Sequence, residues 1–144
     1  MENDLVEGAT EPGRTLPHVG ERIKAAVTDS FVLVALMVLT ATIFSGFRTV
    51  PDEARIAAFV FIVFLYDPIF TSSFGGTIGH MMFKIRVKRK NNIKKNILLP
   101  HAIVRYLVKT FLGLISLLTV ASNKDRLAIH DMVVGSIVVF KDKN

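Results

Sequence analysis

The sequence contains no cysteine and no tryptophan, and long stretches of it contain no charge. Without cysteine there are no disulfides, thiolate nucleophiles or cysteine metal sites. Without tryptophan, an aromatic belt at a membrane interface has to be built from Tyr66, Tyr106 and the eleven Phe. The first twenty residues carry Glu2, Asp4, Glu7 and Glu11 against Arg14, with Pro12, Gly13 and Pro17 among them, the opposite of a basic signal-peptide start. Residues 1–20 are therefore expected to form a disordered cytosolic tail.

Apolar residues dominate what is present. Of 144 residues 51% are hydrophobic, the mean hydropathy is +0.46 and the formal net charge is +6. Length alone allows one domain. The charges are excluded from long runs and do not interleave at helical period, which separates a membrane protein from a soluble one with a large core. The expected fold class is an all-α membrane protein, with two to three transmembrane helices and a small cytoplasmic β-ribbon.

Eighteen residues from Ser30 to Phe47 carry no charge, and with Ala25–Asp29 the run exceeds the roughly 20 residues that cross a bilayer core. The first helix is expected over 21–47. A short polar connection with Pro51, Asp52 and Glu53 suits an external turn. A second helix is expected over 55–75, interrupted only by Asp67 and Pro68.

The basic segment 76–100 carries Lys84, Arg86, Lys88, Arg89, Lys90, Lys94 and Lys95 and no acid. The positive-inside bias places it, and with it the N-terminus, in the cytoplasm. Beside a membrane helix such a loop meets anionic lipid head groups more simply than nucleic acid. The third helix, 101–122, holds Arg105 and Lys109, and only Thr110–Ser122 is uncharged, short for a span. An interfacial or re-entrant helix broken near Gly113 is favoured. A full third span, with Arg105 and Lys109 snorkelling, is the alternative.

Ile85 and Val87 alternate with Arg86 and Lys88, and Ile137–Phe140 is a β-branched run after Gly135. These two strands can pair only on one side of the membrane, so a ribbon and a returning third segment support each other. Asn91 and Asn92 suit the turn after the first strand, and 123–144 forms a cytoplasmic C-terminal segment.

Chemistry is carried by charges inside apolar runs. Asp29 lies two turns beyond Arg22, about 10 Å along the axis, and Asp67 lies about 12 Å from Gly75 on the returning helix, at similar depth. An unpaired charge there costs about 2.5–3.5 kcal/mol even on a lenient scale. Arg105 and Lys109, one turn apart, are the natural partners. A buried polar cluster of Arg22, Asp29, Asp67, Arg105 and Lys109 is inferred, either as an ion-pair lock between helices or as a proton or cation relay.

Gly75, Gly76, Thr77 and Gly79 read as a helix C-cap ahead of a phosphate cradle. His130 and Asp131 read as a cap in a turn ahead of a metal site. No cofactor fingerprint, metal set or nucleophile–base pair is recognisable, so neither cofactor nor enzymatic activity is expected.

Three blocks resemble the RDD family of bacterial membrane proteins. Arg22 to Asp29 is similar to its opening, with an arginine at the start of the first helix and an aspartate inside it. Gly76-Thr77-Ile78-Gly79-His80 is similar to a G-x-T-x-G-K block, with His80 where lysine is usual. Arg126 to Gly135, containing His130 and Asp131, resembles the closing L-H-D-x-x-x-G block. The resemblance implies family-motif roles for Arg22, Asp29, Gly76, Thr77, Gly79, His130, Asp131 and Gly135. It also implies a multi-pass protein of the bacterial cytoplasmic (inner) membrane and an activity such as monovalent cation/proton exchange. Three short segments hardly enclose a path, so transport implies a homo-oligomer. The alternative is a non-transporting adaptor or scaffold that binds a partner or anionic lipid through its basic segment.

Overall fold

A computed structural model describes residues 16–141. The expectation for residues 1–15 and 142–144 lies outside the described residues. Two long helices, α1 (Val19–Ser45) and α2 (Asp52–Phe74), are followed by a one-turn helix α3 (Ile78–Met82) and strand β1 (Ile85–Arg89). Then come α4 (Leu99–Leu112), α5 (Leu114–Ser122), the short α6 (Ile129–Val134) and strand β2 (Ser136–Phe140).

The two long helices are long and apolar enough to cross a membrane, and their packing is inside out by the standards of a soluble protein. In α1 the buried residues are Arg22, Ala25 and Asp29, whereas Phe31, Val38 and Ile43 are exposed, Phe31 to 72%. Water would penalise such an arrangement. Lipid solvates the apolar faces and leaves the polar groups to find partners between helices. In α2 the buried residues are likewise Tyr66, Asp67, Pro68 and Thr71. The chain is a membrane protein with two such helices, or three if the bent pair α4–α5 is one span.

That pair bends by 96°. Gly113 sits at the bend with φ +51°, a backbone setting that a side chain would strain. The strands bracketing the pair are hydrogen-bonded antiparallel, from Ile85↔Phe140 to Arg89↔Ser136. Both flanks of the broken helix therefore lie together, at the end of the molecule where α1 begins and α2 finishes. The amide of Val87 donates to the Gly75 carbonyl at 2.6 Å, which ties the ribbon to the end of α2. Ile85, Val87 and Val138 bury against Ala25, Ile97 and Ala102, a small core beneath the long helices.

Three boundaries differ from expectation. Residues 16–20 are not a tail: the Arg126 guanidinium donates to the Leu16 carbonyl, Leu16 packs on the core formed by Leu127, Ile137 and Val139, and α1 begins at Val19. Within the basic segment β1 and the turn bridged at Arg89↔Asn92 lie where expected, but Ile78–Met82 forms the helix α3 ahead of them. His130 and Asp131 belong to helix α6, where both are buried.

Candidate functional site

Where the two long helices meet the ribbon, four elements bring charges into the interior. Asp131, on α6, has no exposed surface. It accepts from Arg22 Nη1 at 2.5 Å and from Arg105 Nε at 2.9 Å, with the Ser136 hydroxyl at 3.2 Å. Burial alone pushes such an acid up, but Arg105 and Arg22 more than reverse this and hold the carboxyl far below its usual range. The other Arg22 terminal nitrogen donates to the Arg126 carbonyl at 2.9 Å, fixing the approach to α6. Beside it, His130 shares its Nδ1 with the Ser116 hydroxyl of α5 at 2.7 Å. Burial and the surrounding cations press its pKa down to about 3, so the ring is neutral at physiological pH.

Arg105 carries this network into the membrane region. Its Nη1 lies 3.7 Å from Asp67 Oδ1, while Lys109, one turn further along α4, reaches Asp67 Oδ2 at 2.7 Å. Thr71 completes the shell with a hydroxyl donated to Asp67 at 3.1 Å. The result is one continuous ion-pair chain, Arg22–Asp131–Arg105–Asp67–Lys109.

Asp29 stands apart from this chain. It accepts from the Gly79 amide at 2.8 Å, the Tyr66 hydroxyl at 3.0 Å and the Thr77 hydroxyl at 2.5 Å. The nearest basic group is His80 Nδ1 at 3.7 Å. Since Thr77 gives its proton to Asp29, the 2.5 Å contact between Thr77 and His80 assigns the Nδ1 proton to the imidazole. Burial lowers the pKa of His80, and this outweighs the opposing pull of Asp29. The cage depends on Gly79, because a Cβ there would lie 2.2 Å from the Ala25 carbonyl and 2.8 Å from the Asp29 carboxyl carbon. α3 can rest on α1 only without a side chain at that point.

Between the two acids, a cavity of about 180 Å³ is lined by Asp29, Ser30, Tyr66, Asp67, Tyr106 and Lys109. It opens between α1, α2 and α4. Among the described residues no three His, Asp or Glu side chains converge as a metal site would need.

The inferred cluster of Arg22, Asp29, Asp67, Arg105 and Lys109 thus needs correction in its pairing. Arg105 and Lys109 do answer Asp67, but Arg22 does not answer Asp29. Arg22 turns to Asp131, and neutral donors hold Asp29. Asp131 is no cap but the central acid of the ion-pair chain. Thr77 caps α3, accepting from the His80 amide at 3.4 Å. Gly76 lies against His80, with a would-be Cβ 2.8 Å from the His80 Cβ, and Gly135 ends α6 at φ +63°. Sequence reasoning missed Tyr66, Ser116 and the contact of His80 with Asp29. Tyr66 left a signal in being a polar-tipped aromatic directly before an intramembrane acid; Ser116 left none.

The family-motif residues fall at these contacts: Arg22, Asp29, Thr77, Gly79, His130 and Asp131 each touch another motif residue or a direct partner of one. Neither the curated proteins nor the solved structures contain a match to the chain. The model of the RDD family matches residues 16–135, most of the chain and every charged residue of the ion-pair chain and of the Asp29 cage, and the protein belongs to the RDD family.

Proposed function

We propose that this RDD-family protein exchanges monovalent cations for protons across the bacterial cytoplasmic membrane, without enzymatic chemistry. The observation that carries this reading is the cavity between Asp29 and Asp67. Of the buried aspartates facing this network, Asp29 alone lies within hydrogen-bond range of only neutral donors, so a proton or a small cation can neutralise it. Asp67 is neutralised by Lys109, whose side chain is 21% exposed. A flexible, partly exposed ammonium can withdraw when a cation enters. Exchanging one proton for one monovalent cation keeps the charge of the cavity constant, which spares the cost of an unbalanced charge in low dielectric.

Because the cavity opens between helices, a second copy closing it is part of the proposal, and the protein acts as a homo-oligomer in lipid. The seven bases of 76–100 orient the ribbon and the N-terminus toward the cytoplasm. A cysteine introduced at Asn144 of this cysteine-free chain, labelled only after permeabilisation, is the expected outcome for that orientation.

The test of exchange is reconstitution into vesicles with an internal pH dye. Pulses of sodium, lithium or potassium should move internal pH, and Asp29→Asn should abolish the response. A silent wild-type protein, or an Asp29→Asn variant with full activity, defeats the reading. The exposed Lys84, Lys94 and Lys95 favour a second reading, an adaptor that docks on anionic lipid or an acidic partner through this basic turn. It predicts an anionic-lipid dependence of stability that Lys94→Gln with Lys95→Gln removes, and no ion response.

A further inference from the structure

Buried donors in native proteins find acceptors, and those that do not call for an explanation. Two nitrogens of the ion-pair chain lack one among the described residues: Arg22 Nε and Arg105 Nη1. The second is 3.7 Å from Asp67, too far for a hydrogen bond. Both arginines are deeply buried, at 4% and 2% exposure. Both also line one small cavity of about 10 Å³, room for a single water or a single monatomic ion.

The lining of this cavity is one-sided. Its polar side chains are Arg22, His80, Arg105, Lys109 and His130, every one a base, closed on the apolar side by Leu117. No carboxylate lines it among the described residues. Asp131 and Asp67 spend their oxygens on the arginines, Lys109, Thr71 and Ser136, and Asp29 is occupied by Tyr66, Thr77 and Gly79. Along the ion-pair chain three cations, Arg22, Arg105 and Lys109, face two anions, Asp131 and Asp67, and the third buried carboxylate, Asp29, turns to neutral donors outside this cavity, so the charges that line it are positive. A water placed here would accept from both guanidinium groups, and with no carboxylate in the lining it could give its own protons only to the unprotonated nitrogen of a neutral imidazole. A halide needs donors only.

We propose that this cavity is a binding site for one chloride-sized anion, held by Arg22 Nε and Arg105 Nη1 and answering the positive charge of its lining. The site adjoins the larger cavity that faces Asp29, sharing Ala26 and Lys109 with it but none of its carboxylates, and it stands whether or not the protein exchanges cations. An anion locked between α1, α4 and α6 contributes to the packing of those elements.

The purified protein in detergent tests this directly. Thermal unfolding is followed in gluconate buffer as chloride is added at constant ionic strength, and the chloride-35 resonance of the same samples is recorded. The expected results are a Tm that climbs by several degrees with the logarithm of chloride concentration, and a resonance broadened by the protein. Leu117→Phe, which fills the cavity without altering a charge, should remove both effects. Equal Tm in gluconate and chloride with an unbroadened resonance means that the cavity holds water only, and overturns the site. Broadening that survives in Leu117→Phe overturns it as well, because the anion then binds elsewhere. Should that variant fail to fold, crystals of the wild-type protein grown in bromide decide the matter. An anomalous peak beside Arg22 and Arg105 supports the site, and its absence there refutes it.

Discussion

Asp131 and Asp29 are both buried aspartates at the same end of the molecule, yet opposite means hold them. Two arginines from two other helices clamp Asp131, at 2.5 and 2.9 Å. Asp29 rests on a backbone amide and two hydroxyls. A carboxylate between two guanidinium groups stays ionised at any physiological pH and ties together the elements that supply them. One held by neutral donors is free to change its proton or its ion without unpairing a buried cation. The comparison divides the network into a fixed half, which builds the fold, and an adjustable half, where function resides.

The largest effect should come from breaking the fixed half. Asp131→Ala strands Arg22 and Arg105 in the interior, and removal of one partner from a buried ion pair costs about 3–5 kcal/mol. Thermal unfolding in detergent should show a large fall in Tm or no folded protein. Asp29→Asn keeps its oxygen acceptor and should fall much less. Equal losses in the two variants would erase the distinction.

Acid should attack the fixed half as well. His130, neutral when folded with a pKa of about 3, takes up its proton near 6.5 once unfolded. His80 is shifted in the same direction. The unfolded chain therefore binds more protons below pH 6.5, and stability drops as pH falls from 6.5 toward 3. The slope for His130 alone approaches about 1.4 kcal/mol per pH unit. Asp131, depressed far below its ordinary value, adds to the loss only below about pH 4. Tm recorded from pH 7.5 to 4 should decline from near 6.5, and His130→Gln should flatten the curve. A flat wild-type profile across that window would contradict the burial of neutral imidazoles.

The adjustable half is reached through Gly79. In Gly79→Ala the new methyl meets the Ala25 carbonyl, and α3 must lift from α1. Overpacking of this kind costs about 1–3 kcal/mol. The Tm should fall moderately while ion exchange is lost, because the cage opens and the Arg22–Asp131 pair survives. Unchanged exchange in this variant would separate the cage from transport.

How much of this was legible beforehand follows from the kind of interaction involved. The long helices declared themselves through uncharged runs, and the ribbon through the alternation at Ile85–Lys88 and the β-branched run at Ile137–Phe140, since both patterns are local. The break at Gly113 was legible for the same reason. Partner choice was not. Along α1, Arg22 and Asp29 look like a pair separated by two turns, and only the return of α6 beneath α1 offers Arg22 a closer acid. The cage of Asp29 was hidden for a related reason: two of its donors, the Gly79 amide and the Thr77 hydroxyl, arrive on a five-residue helix that no periodicity announces. The family resemblance marked Thr77, Gly79 and Asp131 where spacing alone read them as caps.

The smallest expected effect tests the cage from its other side. Tyr66 donates its hydroxyl proton to Asp29 and accepts the Ile78 amide at 3.1 Å, so it joins α2 to both α1 and α3. Tyr66→Phe keeps the ring and its packing against Phe70, whose centroid is 4.9 Å away. What it removes is one hydrogen bond on each side, a loss of about 1 kcal/mol for each. Tm should move by only a few degrees. Exchange should respond more strongly, because Asp29 then holds its charge with one donor fewer while Thr77 and Gly79 stay in place. A shifted pH profile of exchange with nearly constant stability would locate the adjustable element at Asp29. If stability falls as far as in Asp131→Ala while the pH profile stays put, Tyr66 belongs to the fixed half, and the division between the two carboxylates has been drawn through the wrong residue.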